Sequence, residues 1–212
     1  SIQNGKVYKI TIDENGNRTG LRRIDPIGPE EQMFIHPFVV DPFTDNIMYY
    51  PDETTIWRHS NLNNIQLTNE WDSISDEWIE AIDLNLSGRE ISCISSTKGN
   101  PINRLYVGTN SKELFRVDNA NSNEPIITEI TNNYQTGIGM APLDAFPSSG
   151  YINNIAIHPN DGDVALTVFS NYEVYSMFYT TDGGETWSRA AGNLEQQSNG
   201  TGDGPSFRWA SI

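Results

Sequence analysis

Two aspartates in this sequence lie in stretches where a carboxylate could do chemistry. Asp182 lies in a glycine turn within TTDGGETW, residues 180–187, and Asp52 lies in YPDETTIWR, residues 50–58. Glycoside hydrolysis is one reaction that such residues could serve, because it needs two carboxylates about 5–10 Å apart across the sugar. Both aspartates also fit a structural role, since Asp and Gly commonly close tight turns. The chemistry therefore depends on where the folded chain places each carboxylate.

The other reactive residue types indicate structural positions. Cys93 is the single cysteine, and it lies in the alternating pattern ISCI, so we expect a buried thiol. His36, His59 and His158 lack the spacing of metal ligands, and we expect them to be turn or surface residues. The sequence therefore predicts no metal site and no cofactor.

The composition is strongly acidic, with 13 basic and 28 acidic residues and a formal net charge of −15 at pH 7. This charge repels phosphate backbones and anionic lipid headgroups, so nucleic acid is not an expected partner. No apolar stretch approaches the roughly 20 residues that a transmembrane helix needs, so membrane insertion is not expected.

A repeat of short strands runs through the whole chain. An aromatic residue followed by a polar or basic one recurs in Tyr8-Lys9, Trp57-Arg58, Phe115-Arg116 and Phe178-Tyr179. Two strand-like segments precede the last three of these pairs and one follows every pair, which makes a unit of four short strands. Tandem units of this kind are typical of propeller blades. The sequence therefore predicts an all-β fold, a β-propeller of four-stranded antiparallel blades.

The predicted blades form a single propeller domain over residues 1–212. The outermost strands are expected at residues 21–24, 71–74, 127–130 and 187–190. The predicted divisions are the end of a blade at 1–30, blades at 31–75, 88–131 and 151–195, and the first strand of a next blade at 205–212. About four blades' worth of strands, left as an open fan, would expose two long strand edges. The chain is therefore either a small closed ring or, as we expect, a segment of a larger propeller.

Two insertions interrupt the repeat. Residues 72–90 are expected to join two blades and could include a short helical turn. Residues 132–150 are rich in Gly and Pro and are expected to form a long loop. Long loops at a propeller rim commonly carry binding specificity, so the aromatics Tyr134 and Phe146, expected to be exposed, are the predicted binding residues.

The opening stretch is similar to a known repeat signature. Thr180-x-Asp182-x-Gly184-x-Thr186-Trp187 resembles the Asp-box, or BNR repeat, Ser/Thr-x-Asp-x-Gly-x-Thr-Trp, at every specified position. This repeat occurs in sialidases, xyloglucanase-type glycoside hydrolases, sortilin-type receptors and photosystem assembly factors. The resemblance implies a turn between the third and fourth strands of a blade, at its outer edge and away from the ligand-binding face. Asp182 would then accept hydrogen bonds within its turn, with no catalytic role.

The resemblance also offers a catalytic alternative at Asp52. Xyloglucanase-type enzymes place a catalytic Asp in a similar context, with two Gly where this chain has two Thr before Ile56. Asn110 stands at the corresponding place in the third unit, so an ordinary hairpin turn is the other interpretation. A sialidase would need a cluster of three Arg, whereas Arg58 and Arg116 occupy repeat positions that suggest packing or turn contacts.

These observations lead us to expect a secreted, periplasmic or cell-surface Asp-box propeller. It would bind a glycan or protein ligand on one propeller face without catalysis. The alternative is a xyloglucanase- or sialidase-like glycoside hydrolase with part of its active site outside this segment and Asp52 as its candidate catalytic residue. A periplasmic assembly factor, which shares the repeat, is a third hypothesis.

Overall fold

The chain folds into antiparallel β-sheets. The structure, a computed structural model, describes residues 3–29, 32–69, 71–131, 146–147, 149–190, 194 and 206–212. Within these residues there are one two-stranded and three four-stranded sheets, and in each sheet neighbouring strands follow one another in the chain. The predicted all-β fold of four-stranded antiparallel blades is confirmed.

The sheets are numbered here as blades I to IV. Blade I contains β1 (Tyr8–Ile12) and β2 (Arg18–Arg23). Blade II contains β3 (Val39–Val40), β4 (Met48–Asp52), β5 (Thr55–His59) and β6 (Trp78–Asp83), with a short 3-10 helix at Leu62–Asn64. Blade III contains β7 (Ile91–Ser96), β8 (Leu105–Thr109), β9 (Leu114–Asp118) and β10 (Ile126–Glu129). Blade IV contains β11 (Ile152–His158), β12 (Asp161–Phe169), β13 (Met177–Thr180) and β14 (Ser188–Arg189).

The register of the two middle strands is the same in the three complete blades. Tyr49 lies opposite Arg58 in blade II, Tyr106 lies opposite Arg116 in blade III, and Leu166 lies opposite Tyr179 in blade IV. These pairs define corresponding positions. The repeated aromatic-polar pairs of the sequence therefore mark the third strand of each blade, where one residue faces the preceding blade and the next faces the following blade.

The core lies between the blades. Blades I and II enclose a cluster that includes Val7, Met48 and Trp78, and blades II and III enclose one built around Tyr49 and Phe115. Blades III and IV enclose a third cluster, whose largest fully buried members are Tyr106, Leu114, Ile130, Ile152, Phe169, Phe178 and Trp187. Blades II and III, each packed between two neighbours, thus bury both faces of their central strands, which explains why β8 is buried along its whole length.

Basic side chains on the third strands join each blade to the next. Lys9 Nζ donates to Leu62 O at 2.8 Å, Arg58 Nη1 donates to Ala120 O at 2.8 Å, and Arg116 Nη1 donates to Gly183 O at 2.8 Å. Every acceptor lies in the connection between the third and fourth strands of the following blade. The predicted role of Arg58 and Arg116 in turn contacts is therefore confirmed, and neither guanidinium is placed for a sialidase-type cluster.

The outermost strand of blade II lies at Trp78–Asp83, so the strand predicted at residues 71–74 is wrong. Trp78 is 6% exposed and its indole Nε1 donates to Ile24 O at 2.9 Å, whereas Trp71 is 60% exposed and touches Tyr8 edge-on. The stretch 72–90 therefore contains a strand of the blade, rather than a linker with a helical turn. The connection from β5 to β6 is long because it packs against blade I, where Asn69 N donates to Leu21 O at 2.7 Å.

Residues 206–212 lie against blade IV without forming a strand. Ser206 Oγ donates to Ser170 O at 2.6 Å, and Phe207 and Ala210 pack against Val168 and Met177. Their assignment to the first strand of a next blade, and the predicted blade limits as a whole, remain predictions.

Candidate functional site

The turn that contains Asp182 is closed by its own side chains. Asp182 Oδ1 accepts hydrogen bonds from Thr180 Oγ1 at 2.7 Å and Thr186 N at 2.8 Å, and its Oδ2 accepts one from Thr186 Oγ1 at 2.5 Å. Gly183 and Gly184 have φ of 71° and 86°, which a residue with a Cβ rarely adopts. The turn joins β13 to β14, so all these groups lie at the outer part of the blade.

The electrostatics of this turn match a structural carboxylate. Burial alone would raise the pKa of Asp182, but hydrogen bonds from Thr186 and Thr180 outweigh it and hold the pKa below its usual value. A carboxylate that accepts bonds with both oxygens is held in one orientation. Beside the same turn, Arg104 forms an ion pair with Asp118 of its own blade and, across the blade interface, a second ion pair with Asp163 of blade IV. The closed turn and the ion pairs of Arg104 together stabilise the boundary between blades III and IV.

Asp52 is the last residue of β4, beside the β4–β5 turn, and this end of the blade is opposite to the end that carries the third-to-fourth-strand connection. It pairs with Thr55 across the turn and is half-buried. In blade III the residue at the corresponding position is Thr109, so the expectation that Asn110 corresponds to Asp52 is wrong. The β8–β9 turn of blade III is one residue longer than the β4–β5 turn of blade II. Counting back from the aromatic residue of the third strand therefore leads to Asn110, whereas strand pairing leads to Thr109.

A cleft lies beside this turn, and we call it the β4–β5 cleft. Its volume is about 100 Å³ and it is lined by Gln32, Met33, His36, Pro51, Glu53, Glu90 and Ile91. The lining comes from three separate segments: the loop before β3, the β4–β5 turn, and the start of blade III. It includes two carboxylates and one imidazole, and Asp52 itself is not part of it.

Backbone hydrogen bonds hold the walls of the cleft together. Ile91 N donates to Glu53 O at 2.7 Å and Asn110 N donates to Glu90 O at 2.9 Å. His36 stacks on Tyr50 with ring centroids 4.3 Å apart, and Tyr50 in turn donates from its hydroxyl to Gly5 O at 2.9 Å. The position of each wall is therefore set before any ligand arrives, which lowers the entropy cost of binding.

His36 lines the cleft with an uncharged ring. Its Nε2 lies 2.7 Å from Pro51 O, a carbonyl that can only accept, so Nε2 carries the proton and donates. Burial lowers the pKa of His36, although the contact with Pro51 O opposes this effect. The imidazole is therefore neutral at neutral pH, and the charge in the cleft comes from Glu53 and Glu90.

Glu53 has an unusual backbone for its residue type. Its φ is 44°, in the left-handed region that costs a residue with a Cβ about 1–2 kcal/mol. Glycine or asparagine would adopt this conformation more readily. Glu53 thus carries an exposed carboxylate at a turn position where turn geometry alone favours other residues.

No protein-family model matches the chain, and no curated protein matches it. Its fold can be superposed on the crystal structure of the GH74 enzyme of Niastella koreensis with a TM-score of 0.43 and 12% sequence identity. The alignment covers 87% of this chain and 34% of that chain, so this chain spans about a third of that protein's length. The fold assignment rests on the sheet topology, and membership in an Asp-box family remains a prediction.

Of the two predicted aromatic binding residues, Phe146 is the one that lies in the described part of the chain. Phe146 is 9% exposed, with its ring centroid 4.8 Å from that of Phe178 and 5.7 Å from that of Trp187. The expectation of an exposed ring is wrong for Phe146, because its ring packs in the core between blades III and IV. Tyr134 lies outside the described residues.

The remaining predictions concern the histidines and Cys93. Cys93 is buried as predicted, and burial raises the pKa of its thiol to about 12. His158 lies at the β11–β12 turn, where its Nδ1 accepts from Asn160 N at 3.3 Å. His59 is 1% exposed and packs on Trp78, so a turn or surface position is wrong for it. In the described ranges, no group of three or more His, Cys, Asp or Glu side chains could hold a metal ion, and no helix could span a membrane.

Sequence reasoning did not find the β4–β5 cleft. Glu53 is adjacent to Asp52, but Glu90 and His36 come from other segments and belong to no motif. The single local signal was a bulky acidic residue at a two-residue hairpin turn, where Asn or Gly is the usual choice.

Proposed function

We propose that this chain is a non-catalytic β-propeller module that binds a neutral glycan at the β4–β5 cleft. The observation that carries the proposal is the meeting of Glu53, Glu90 and His36 from three segments in one preorganised cleft. Carboxylate oxygens accept hydrogen bonds from hydroxyl groups, and such charge-assisted bonds are short and strong. A sugar offers several hydroxyl donors on one edge, which matches this set of groups.

The size of the cleft favours binding of one edge of a ligand. Sites that enclose a small molecule usually have volumes of about 300–1,000 Å³, whereas this cleft holds about 100 Å³. Phe34 and Ile35, which separate Met33 from His36 in the chain, are 62% and 81% exposed. They offer an apolar surface beside the polar groups, against which a sugar ring can pack. A shallow site of this kind suits recognition of a chain of sugars more than chemistry on one bond.

Charge selects against acidic ligands. The two carboxylates in the cleft and the net charge of −15 repel sialic acids, uronic acids and phosphorylated sugars. We therefore infer a neutral hexose or pentose polymer as the ligand class. We also infer the secreted, periplasmic or cell-surface location that the sequence led us to expect.

The first test measures affinity for a panel of neutral oligosaccharides by calorimetry. Glu53→Asn and Glu90→Gln are each expected to weaken binding roughly 10- to 100-fold, since a hydrogen bond to a charged group contributes about 1.5–3 kcal/mol. Asparagine is chosen at Glu53 because it tolerates a positive φ. Glu129→Gln, on the exposed outermost strand of blade III, is the matched control and should leave affinity unchanged.

Two results would contradict this proposal. One is the absence of binding to any neutral glycan by a folded protein. The other is binding that Glu129→Gln weakens as much as Glu53→Asn or Glu90→Gln does, because the ligand would then contact a different surface.

The same cleft supports a second candidate, a glycoside hydrolase. Glu53 and Glu90 line one cleft, and Asp52 lies in the adjoining turn, so more than one carboxylate is available for acid and nucleophile or base roles. Incubating the protein with the same glycans as polymers and measuring new reducing ends tests this alternative. Release of reducing ends that Asp52→Asn or Glu90→Gln abolishes would establish hydrolysis in place of simple binding.

A further inference from the structure

The long connection between β5 and β6 encloses a second cavity, which we call the β5–β6 cavity. This connection runs over residues 60–77, whereas the corresponding connections of blades III and IV run over 119–125 and 181–187. The cavity lies between this connection and β2 of blade I, and its volume is about 330 Å³. Sites that enclose small molecules usually have volumes of about 300–1,000 Å³, so a whole small ligand can enter it.

Contacts between blades I and II fix the walls of the β5–β6 cavity. Arg22 lies opposite Lys9, whose side chain binds the same connection, so both side chains point towards blade II. Arg22 Nη1 donates to Thr68 Oγ1 at 2.9 Å, and Asn69 N donates to Leu21 O at 2.7 Å. The walls are therefore held in place before a ligand binds, which lowers the entropy cost of binding.

Charged groups of both signs line this cavity. Arg22 supplies a guanidinium, and Asp76 and Glu77, just before β6, supply two carboxylates. His59 also lines it and is 1% exposed. Burial lowers the pKa of His59, although the charge of Glu77 and a hydrogen bond to the backbone of Asp76 oppose this effect, so the ring is neutral at neutral pH. The ammonium of Lys9 is bound to backbone carbonyls of the connection and is not part of the lining.

This mixture of charges disfavours ligands that carry one sign only. The guanidinium repels metal ions and diamines, and among the residues that the structure describes no group of three or more His, Cys, Asp or Glu could hold a metal. The two carboxylates repel phosphates and sulfates. A ligand with one carboxylate and one ammonium satisfies both sets of groups, because guanidinium pairs with carboxylate and carboxylates accept from ammonium.

We propose that the β5–β6 cavity binds a small zwitterion of the α-amino acid class, with its carboxylate on Arg22 and its ammonium on Asp76 and Glu77. Ile65 and Ile74 line the same cavity and provide an apolar surface for the side chain of the ligand. This ligand differs in charge from the neutral glycan proposed for the β4–β5 cleft. The two sites lie at opposite ends of β5, so binding at one does not depend on binding at the other.

Thermal unfolding in the presence of each of the common amino acids, at about 10 mM, identifies the ligand. At least one should raise the unfolding midpoint, because a ligand that binds only the folded state stabilises it. Calorimetry then compares this amino acid with two analogues, the amine that lacks its carboxylate and the acid that lacks its ammonium. Each analogue should bind at least about tenfold more weakly, since each loses hydrogen bonds to a charged group.

Substitutions in the cavity test where the ligand binds. Arg22→Gln and Asp76→Asn should each weaken binding of the amino acid roughly 10- to 100-fold. Arg18→Gln, at the exposed start of β2, and Glu80→Gln, exposed on β6, are the matched controls and should bind like the unmodified chain. Circular dichroism establishes that the variants are folded. Asp76 is exposed, so its variant tests the site even if Arg22→Gln loosens the connection.

Three results would overturn the proposal: no amino acid binds, an analogue with a single charge binds as tightly as the amino acid, or the control variants weaken binding as much as the cavity variants do. Glycan binding by the cavity variants should be unchanged. Failure of this proposal and failure of the glycan proposal are therefore seen in separate measurements.

Discussion

Replacing Trp187 with alanine is expected to lower the free energy of unfolding by about 3–5 kcal/mol, the usual cost of truncating a buried tryptophan. Trp187 is fully buried between blades III and IV, where its ring approaches Phe146 and the backbone of Gly184. The lost side chain leaves a cavity that rigid neighbouring sheets cannot fill, so the cost includes a cavity term as well as lost burial. Urea unfolding measures the change in the free energy of unfolding. The unfolding is monitored by backbone circular dichroism, because this signal does not depend on the fluorescence of the tryptophan that is removed.

Trp209→Ala is the matched control for this experiment. Trp209 is 74% exposed, so the same truncation should change the free energy of unfolding by no more than about 0.5 kcal/mol. Similar losses for the two variants would contradict the placement of Trp187 in the core. A loss of less than about 1 kcal/mol at Trp187 would do the same.

The second large effect is expected at Asp182. Asp182→Ala removes three hydrogen bonds from Thr180 and Thr186 and should destabilise the protein by about 2–3 kcal/mol at neutral pH. The turn then loses its internal closure beside the contacts of Arg104 and Arg116 with blade IV. We expect this loss to appear in unfolding free energy, without a specific loss of glycan binding, because the β4–β5 cleft lies at the opposite end of the blades.

The effect of Asp182 should depend on pH in a defined direction. The folded-state pKa is lowered from the usual 3.8, so the unfolded chain takes up the proton first as the pH falls. The stabilisation is therefore complete above pH 3.8 and is lost as the pH falls through the folded-state pKa. The stability difference between Asp182→Ala and the unmodified chain should be large at neutral pH and smaller at about pH 3.

Asp13→Ala is a control with the same local geometry. Asp13 Oδ1 accepts hydrogen bonds from Asn15 N at 2.9 Å and Asn17 N at 2.8 Å, but this turn is exposed to solvent. Water can replace these bonds, so the variant should lose less stability than Asp182→Ala. Equal losses, or a stability difference at Asp182 that does not shrink in acid, would contradict the assigned role.

The predictions that were confirmed depend on interactions between residues close in the chain. Alternating apolar residues and turn residues placed the third strands correctly, and the recurrence of an aromatic before Arg58 and Arg116 placed these cations at turn contacts. Strand alternation and tight turns involve only a few consecutive residues, so a sequence pattern is enough to predict them.

The predictions that were wrong depend on contacts between distant residues. Trp71 and Trp78 both fit an outermost strand, and the choice of Trp78 depends on its bond to Ile24 O in another blade. The Gly- and Pro-rich stretch around Phe146 predicts an exposed loop, but the ring of Phe146 packs against Phe178 and Trp187 in the core. No local pattern distinguishes these outcomes, because the partner lies in a different repeat.

By itself, then, the sequence determined the all-β architecture, the repeat and the turn around Asp182, since each follows from the stiffness and hydrogen bonding of a few neighbouring residues. The tertiary structure alone decided which groups meet. Packing of blade II between blades I and III brings His36, Glu53 and Glu90 into one cleft. Burial of polar and apolar surface between whole sheets, rather than any motif, placed the candidate site there.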